Sequence, residues 1–286
     1  MAFSFEKVYA NLLTGSLTGR NDWLSRLNTA AEIPDGATEG SCGISYIASV
    51  TAANVTDGTM VTNGTTTTTV NGTYVDKSVT SSWKPSEVGM LRKPGTLQTL
   101  ATKQADALVA DQQNSIIAAL KAGTALTNAS VTLTTGQIDF VTDGTTLEAI
   151  DNLRKMQTAI SYLMASFVGT PAQDMAIVMP PVAFAYFTAL VATGVQSPMY
   201  LAAEKMWYFM GIPIFSITGA TSFGSANNEC AFITTRESAL LARRMPYLSH
   251  GGPWIASDNC TKLSVIGPYA YAAIPGMWAE IVNPSS

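Results

Sequence analysis

Gly40-Ser41-Cys42-Gly43-Ile44-Ser45-Tyr46-Ile47-Ala48 and, further on, Thr69-Val70-Asn71-Gly72-Thr73-Tyr74-Val75 lie in the stretch of sequence that decides the architecture. Between Gly40 and Ser82 the only charges are Asp57, Asp76 and Lys77, and the segment is rich in Thr, Gly and Asn. Large apolar groups are too sparse there to form a core. Ile44, Tyr46 and Ala48, and again Thr69 to Val75, alternate as strands do, while Asp57-Gly58, Asn63-Gly64 and Asn71-Gly72 are turn dipeptides. Together they read as a long two-stranded ribbon. A hairpin alone is marginal in water and gains stability by lying on another surface. The ribbon is therefore expected to be an arm reaching onto neighbouring copies, and the chain an assembly subunit rather than a self-contained enzyme.

Working outward, a chain of 286 residues can bury a substantial core in one large or two interleaved domains. Charged residues make up 13%, about half the usual share, and hydrophobic residues 47%. That balance leaves weakly polar surface for contact with other subunits; the competing reading is a low-charge monomer. A net charge of -4 and a pI near 5.0 argue against a nucleic-acid binder, which needs clustered Lys and Arg. Mild acidity does suit a container whose wall must not grip its contents.

Cys42, Cys230 and Cys260 are widely spaced, without a C-x-x-C, and His250 is the only histidine, so neither a disulfide framework nor a zinc site is expected. Free, buried thiols are. Met1 to Lys7 shows no basic region followed by an apolar run, and no uninterrupted apolar stretch approaches the length of a membrane span. The Asn-x-Ser/Thr triplets at Asn54, Asn63, Asn71, Asn128 and Asn259 are read as turn formers rather than glycan sites.

Upstream of the ribbon, residues 1–39 read as an extended arm with little core, carrying a short amphipathic stretch from Asp22 to Leu27 and a Pro34-Asp35-Gly36 turn. Downstream, a corner at Trp83 to Glu87 leads to the clearest helix, Leu97 to Ala122. Its stripe is Leu97, Leu100, Ala101, Ala105, Leu108, Gln112, Ile116, Ala119 and Leu120, with Gly123 as C-cap. At the helical rise it spans about 39 Å, enough to act as a beam. Val131 to Thr135 and Ile138 to Thr142 are β-prone. A second helix begins near Thr145-Thr146-Leu147-Glu148 and buries Leu147, Ile150, Leu153, Met156, Ile160 and Leu163.

Met175 to Met179 is a continuous apolar strand, followed by Pro180-Pro181 and a helix through Ala192. Trp207-Tyr208-Phe209 is placed on a helix and divided between core and interface rather than ligand stacking. A strand at Ile212 to Ile217 completes an α/β layer. Thr218 to Asn228 is a small-residue loop suited to packing against copies of itself, and Ala231 to Thr234 is a further strand. Glu237 to Arg244 is a short helix or turn, and Lys262 to Val282 one long bent strand.

Enzyme classes thin out quickly. His250 stands beside Gly251-Gly252-Pro253, a turn, and no G-x-S-x-G elbow supplies a nucleophile. No phosphate loop or G-x-G-x-x-G fingerprint is present. Glu148 and Asp151 sit at ordinary helical spacing, as on a solvated face. No catalytic, cofactor-binding or metal-binding residue is nominated. An α/β enzyme with a β insertion and a surface or appendage protein are the remaining alternatives from other classes.

The order of these parts resembles the major capsid proteins of tailed bacteriophages, of the Hong Kong 97-type fold. Met175-Ala176-Ile177-Val178-Met179-Pro180-Pro181-Val182-Ala183-Phe184 is similar to that family's strand, proline and helix, and Tyr208-Phe209-Met210-Gly211-Ile212-Pro213-Ile214 to its "G-x-P-V" strand. Ala231-Phe232-Ile233-Thr234 with Ala239 to Arg244 resembles the next strand and turn, and Tyr269 to Trp278 the closing strand.

The resemblance implies an α+β fold. Its parts would be an N-terminal arm (1–39), an extended β-hairpin loop (40–84), a peripheral domain (85–142 and 246–268) with spine helix 97–122, and an axial α/β domain (143–245 and 269–286). It implies a virion shell assembled in the host cytoplasm from pentamers and hexamers around double-stranded DNA, without sequence-specific binding, with no membrane and no enzyme activity. Portal, scaffold and decoration proteins are its implied partners. The candidate contacts between subunits are Tyr74, Lys77, Trp83, Phe223, Arg236, Arg243 and Arg244. Some members crosslink a loop lysine to an asparagine; Lys77 is the only lysine of the ribbon, and no asparagine partner is assigned to it. Encapsulin nanocompartments share the fold and are the alternative; they usually begin with a cargo-docking helix, whereas this N-terminus reads as a weak helix.

Overall fold

Five apolar residues in succession, Met175 to Met179, leave a strand with no polar face, so both of its sides must be covered. In the computed structural model, that strand is buried at every position and central in a seven-stranded sheet. The structure describes residues 5–18, 22–29, 31, 33, 39–50, 65–76, 78–83, 94–132, 147–166, 169–189, 195–218, 223, 230–243, 248–251 and 261–282.

The helices are α1 (Phe5–Thr18), α2 (Pro94–Ala122), α3 (Leu147–Ser166), the single turn α4 (Pro171–Asp174) and α5 (Pro181–Ala189), with a 3-10 turn at Trp23–Arg26. The first seven strands are β1 (Gly40–Val50), β2 (Thr65–Val75), β3 (Ser78–Trp83), β4 (Val131–Thr132), β5 (Met175–Met179), β6 (Met199–Leu201) and β7 (Met206–Phe209). The remainder are β8 (Ile212–Ser216), β9 (Cys230–Thr235), β10 (Ala239–Arg243), β11 (Leu248–Gly251), β12 (Thr261–Ile266), β13 (Tyr269–Ala273) and β14 (Trp278–Val282). The chain divides into two compact units, residues 1–19, 29–108 and 240–272 in one and 20–28, 109–239 and 273–286 in the other.

The second unit holds the seven-stranded sheet, in the order β4-β14-β9-β5-β8-β7-β6. Strand β5 pairs parallel with β8 and antiparallel with β9. Met175, Ile177 and Met179 join one buried cluster with Leu153, Met156, Ile160 and Leu163 of α3 and Ala183 and Phe187 of α5. Each such aliphatic side chain contributes about 1.5–3 kcal/mol on burial. On the other side, Phe223 packs against Phe232 with ring centroids 6.1 Å apart. Trp23, wholly buried, donates from Nε1 to Thr234 Oγ1 at 3.1 Å, and Thr234 donates on to the Ala176 carbonyl at 3.3 Å. The 3-10 turn that delivers Trp23 is capped by Asp22, whose carboxylate accepts from the Ser25 amide at 3.1 Å.

The first unit contains the sheet β1-β2-β13-β10 and the sheet β11-β12-β3. Tyr9, Leu13 and Leu17 of α1, spaced by four so that they share one helical face, are buried. The Tyr9 hydroxyl donates to Gln104 Oε1 at 2.6 Å, and Gln104 donates from Nε2 to the Val79 carbonyl at 3.5 Å, which joins α1, α2 and β3.

The stripe expected on α2 is largely buried, with Gln104, Val109 and Ile117 added to it. Several other expectations are corrected. Residues 5–18 form a helix with a buried face, not an arm with little core. Met206–Phe209 is a strand: Met210 at φ 53° and Gly211 at φ 76° make the tight two-residue turn that reverses β7 into β8. Ala239–Arg243 is also a strand rather than a helix. The closing segment is three strands, because the extended run breaks at Gly267-Pro268 and at Pro275-Gly276, where Gly276 has φ 78°.

Ser78–Trp83, expected to end the ribbon, pairs with Thr261–Ile266 in a different sheet. His250 lies in a strand opposite Ser264, not in a turn. Gly123 follows the end of α2, as expected of a C-cap, and also permits close packing: a Cβ there would stand 2.9 Å from the Trp278 ring. The turns at Pro34 to Gly36, Asp57-Gly58 and Asn63-Gly64, the residues from Lys84 to Glu87, the segment Ile138 to Thr146 and Cys260 lie outside the described residues.

Candidate assembly surfaces

The ribbon is built from β1 and β2, antiparallel from Gly40 opposite Tyr74 to Val50 opposite Thr65. Its free side is limited at the base, since β13 pairs with Thr73, Tyr74 and Val75 only. From Gly72 to Thr65 the described ribbon continues two-stranded for about 23 Å at the rise of a strand. A register shift between Ile47 and Ser49 marks a bulge, and Ile47 is 63% exposed. Ser41, Ser45, Thr69, Asn71 and Thr73 present one exposed, polar face; Ile44 and Tyr74, on the other, are buried.

In the second unit the sheet ends at β6, an edge strand whose Met199, Tyr200 and Leu201 are all exposed, Met199 to 63%. An edge strand offers unpaired backbone groups, and charges, prolines or bulges normally guard it; these three residues supply none. Beside it opens a cleft of about 640 Å³ lined by Met199, Leu201, Tyr208 and Met210 together with Arg26 and Glu204. Tyr200 leans on Trp207, ring centroids 5.5 Å apart, and Tyr208 donates to the Glu204 carboxylate. Burial, and then the neighbouring Glu204, pushes the Tyr208 hydroxyl above the usual tyrosine range, against a smaller opposing pull from Arg26. Further exposed apolar side chains are Tyr162 and Met164 on α3 and Val182 and Tyr186 on α5.

Of the nominated contact residues, Arg236 is exposed, 3.8 Å from Asp174 in an open ion pair, and Arg243 is half-buried. Trp83 ends β3 opposite Thr261. Lys77 and Arg244 lie outside the described residues. Two nominated side chains lie inside the subunit. Phe223 is wholly buried against its own subunit's Phe232, and Tyr74 is 5% exposed, so neither side chain is presented to a neighbour in this conformation. The exposed apolar residues of β6, α3 and α5 were not singled out from the sequence, because a short apolar run gives no sequence signal of which side it shows to water.

Among the described residues there is no group of three or more His, Cys, Asp or Glu that could hold a metal ion, and no helix is long and apolar enough to cross a membrane. Cys230, buried, and Cys42, half-buried, are not in disulfides, and burial raises the Cys42 thiol pKa.

No family model and no curated protein matches the chain. Solved structures do. A structure from Mycobacterium phage Che8 matches with a TM-score of 0.55 at 12% identity, over 93% of this chain and 93% of that one. The capsid of an empty GTA particle gives 0.55 at 8% identity, over 91% and 88%. The mature capsid of bacteriophage PhiM1 gives 0.52 at 12%, over 92% and 87%. The fold is that of phage-type capsid subunits, shared along nearly the whole chain.

Proposed function

We propose that this chain is a major capsid protein of the Hong Kong 97 type, a structural subunit that self-assembles through pentamers and hexamers into an icosahedral shell around phage DNA. The carrying observation is the shared fold: end-to-end agreement with structures of capsids at sequence identities near a tenth. A ribbon with a two-stranded outer part and an unguarded sheet edge support it, since both are groups left to be completed by another chain. On this reading the unit with the seven-stranded sheet forms the axial domain, and the ribbon lies over an adjacent subunit. Portal, scaffold and decoration proteins are the accompanying partners, and the virion is the location. Capsids among the matched structures favour this over a nanocompartment shell.

Mixing isotopically heavy and light protein, with a photo-crosslinker placed at exposed Thr69, tests the ribbon's role. Heavy-light crosslinked peptides are expected. Crosslinks confined to one copy, in every assembly state, would contradict the proposal.

A further inference from the structure

We propose that Gly72, Ile44 and the Tyr271 backbone form a latch that fixes the direction in which the ribbon leaves its own subunit, and that assembly depends on this latch. The inference deepens the capsid reading and rests on it for the second clause only.

Gly72 stands just past the last residue of β2 paired with β13, at the boundary between three-stranded base and two-stranded ribbon. A Cβ at position 72 would lie 2.7 Å from the Tyr271 carbonyl oxygen and 2.9 Å from Ile44 Cγ1. Real Cβ atoms do not approach a backbone oxygen so closely. Position 72 is thus a glycine because the β13 backbone and the Ile44 side chain together occupy the volume a side chain would take. Ile44, opposite Val70 and diagonal to Gly72 on the same face of the ribbon, is wholly buried. Two residues further along the same face of β1, Tyr46 is only half-buried. The apolar hold on the ribbon therefore weakens beyond this point, and the knob of Ile44 over Gly72 is the last point of β1 described as fully buried. The Tyr269 and Tyr271 rings, stacked with centroids 5.9 Å apart, stiffen the β13 side of the latch.

A rigid exit angle matters for a shell subunit. At a lever of about 23 Å, a rotation of a few degrees at the base moves the outer ribbon by ångströms, enough to miss a complementary surface.

Two variants test this, each read on the soluble subunit and on assembly. Gly72→Ala forces β2 and β13 apart. Ile44→Ala removes the knob without introducing a clash. In both, amide exchange at Thr73 to Val75 and Tyr269 to Tyr271 is expected to quicken about tenfold or more while Ile177 and Val178 keep their protection. Yield of particles is expected to fall in parallel. If Gly72→Ala does not fold, Ile44→Ala decides alone: unchanged exchange at those amides, or wild-type particle yield, overturns the proposal. Faster exchange in a protein whose wild type never assembles would leave the latch standing and remove the capsid reading instead.

Discussion

Gly123 shows what one missing side chain does at the end of a long helix. Adding a methyl group there brings it 2.9 Å from the wholly buried Trp278 ring and 3.1 Å from the Ala119 carbonyl. The gain in helix propensity is under about 1 kcal/mol, whereas overpacking a rigid indole costs about 1–3 kcal/mol. Gly123→Ala is therefore expected to lower the urea midpoint, and an unchanged or higher midpoint would refute the packing argument. Tyr9 makes a pH prediction. Burial holds its hydroxyl well above the ordinary value of 10.0, so the unfolded chain loses this proton first as pH rises. Stability from this group is complete below that value and declines above it. Urea midpoints measured from neutral to strongly alkaline pH should show the decline, and Tyr9→Phe should flatten it. Phe223, a lone aromatic in a small-residue loop, plugs a hydrophobic face by packing against Phe232.

Among the elements, those with an unambiguous period were legible. The stripe of α2 and the unbroken apolar run of β5 each allow one reading, and the structure shows both. Where tertiary contacts or turn chemistry decide, the reading failed. Thr14, Gly15 and Ser16 are poor helix formers, so α1 is not predicted by propensity; the buried side of Tyr9, Leu13 and Leu17 holds it. Trp207-Tyr208-Phe209 fits helix or strand until the positive φ of Met210 and Gly211 is known. Met199→Lys sits on an exposed position, so it should shift subunit stability by no more than about 0.5 kcal/mol. A charge on the edge is nevertheless expected to block strand pairing and reduce assembly. Sedimentation of the variant beside wild type checks this; equal particle yield would show that β6 is not an assembly edge.

For the whole molecule, the α+β fold class was legible because it follows from patterns repeated over many residues. The exposed apolar surfaces were not, since which apolar residue remains in water is set only after the chain has folded. The structure leaves uncovered a two-stranded ribbon, an open sheet edge and apolar patches on α3 and α5. Shell assembly would cover them through many modest contacts rather than a single dominant one. Electron micrographs of the purified protein across a range of concentrations address this directly. The account predicts rings of five and six subunits closing into shells of uniform diameter. A population that remains a 30.2 kDa monomer at every concentration would contradict it.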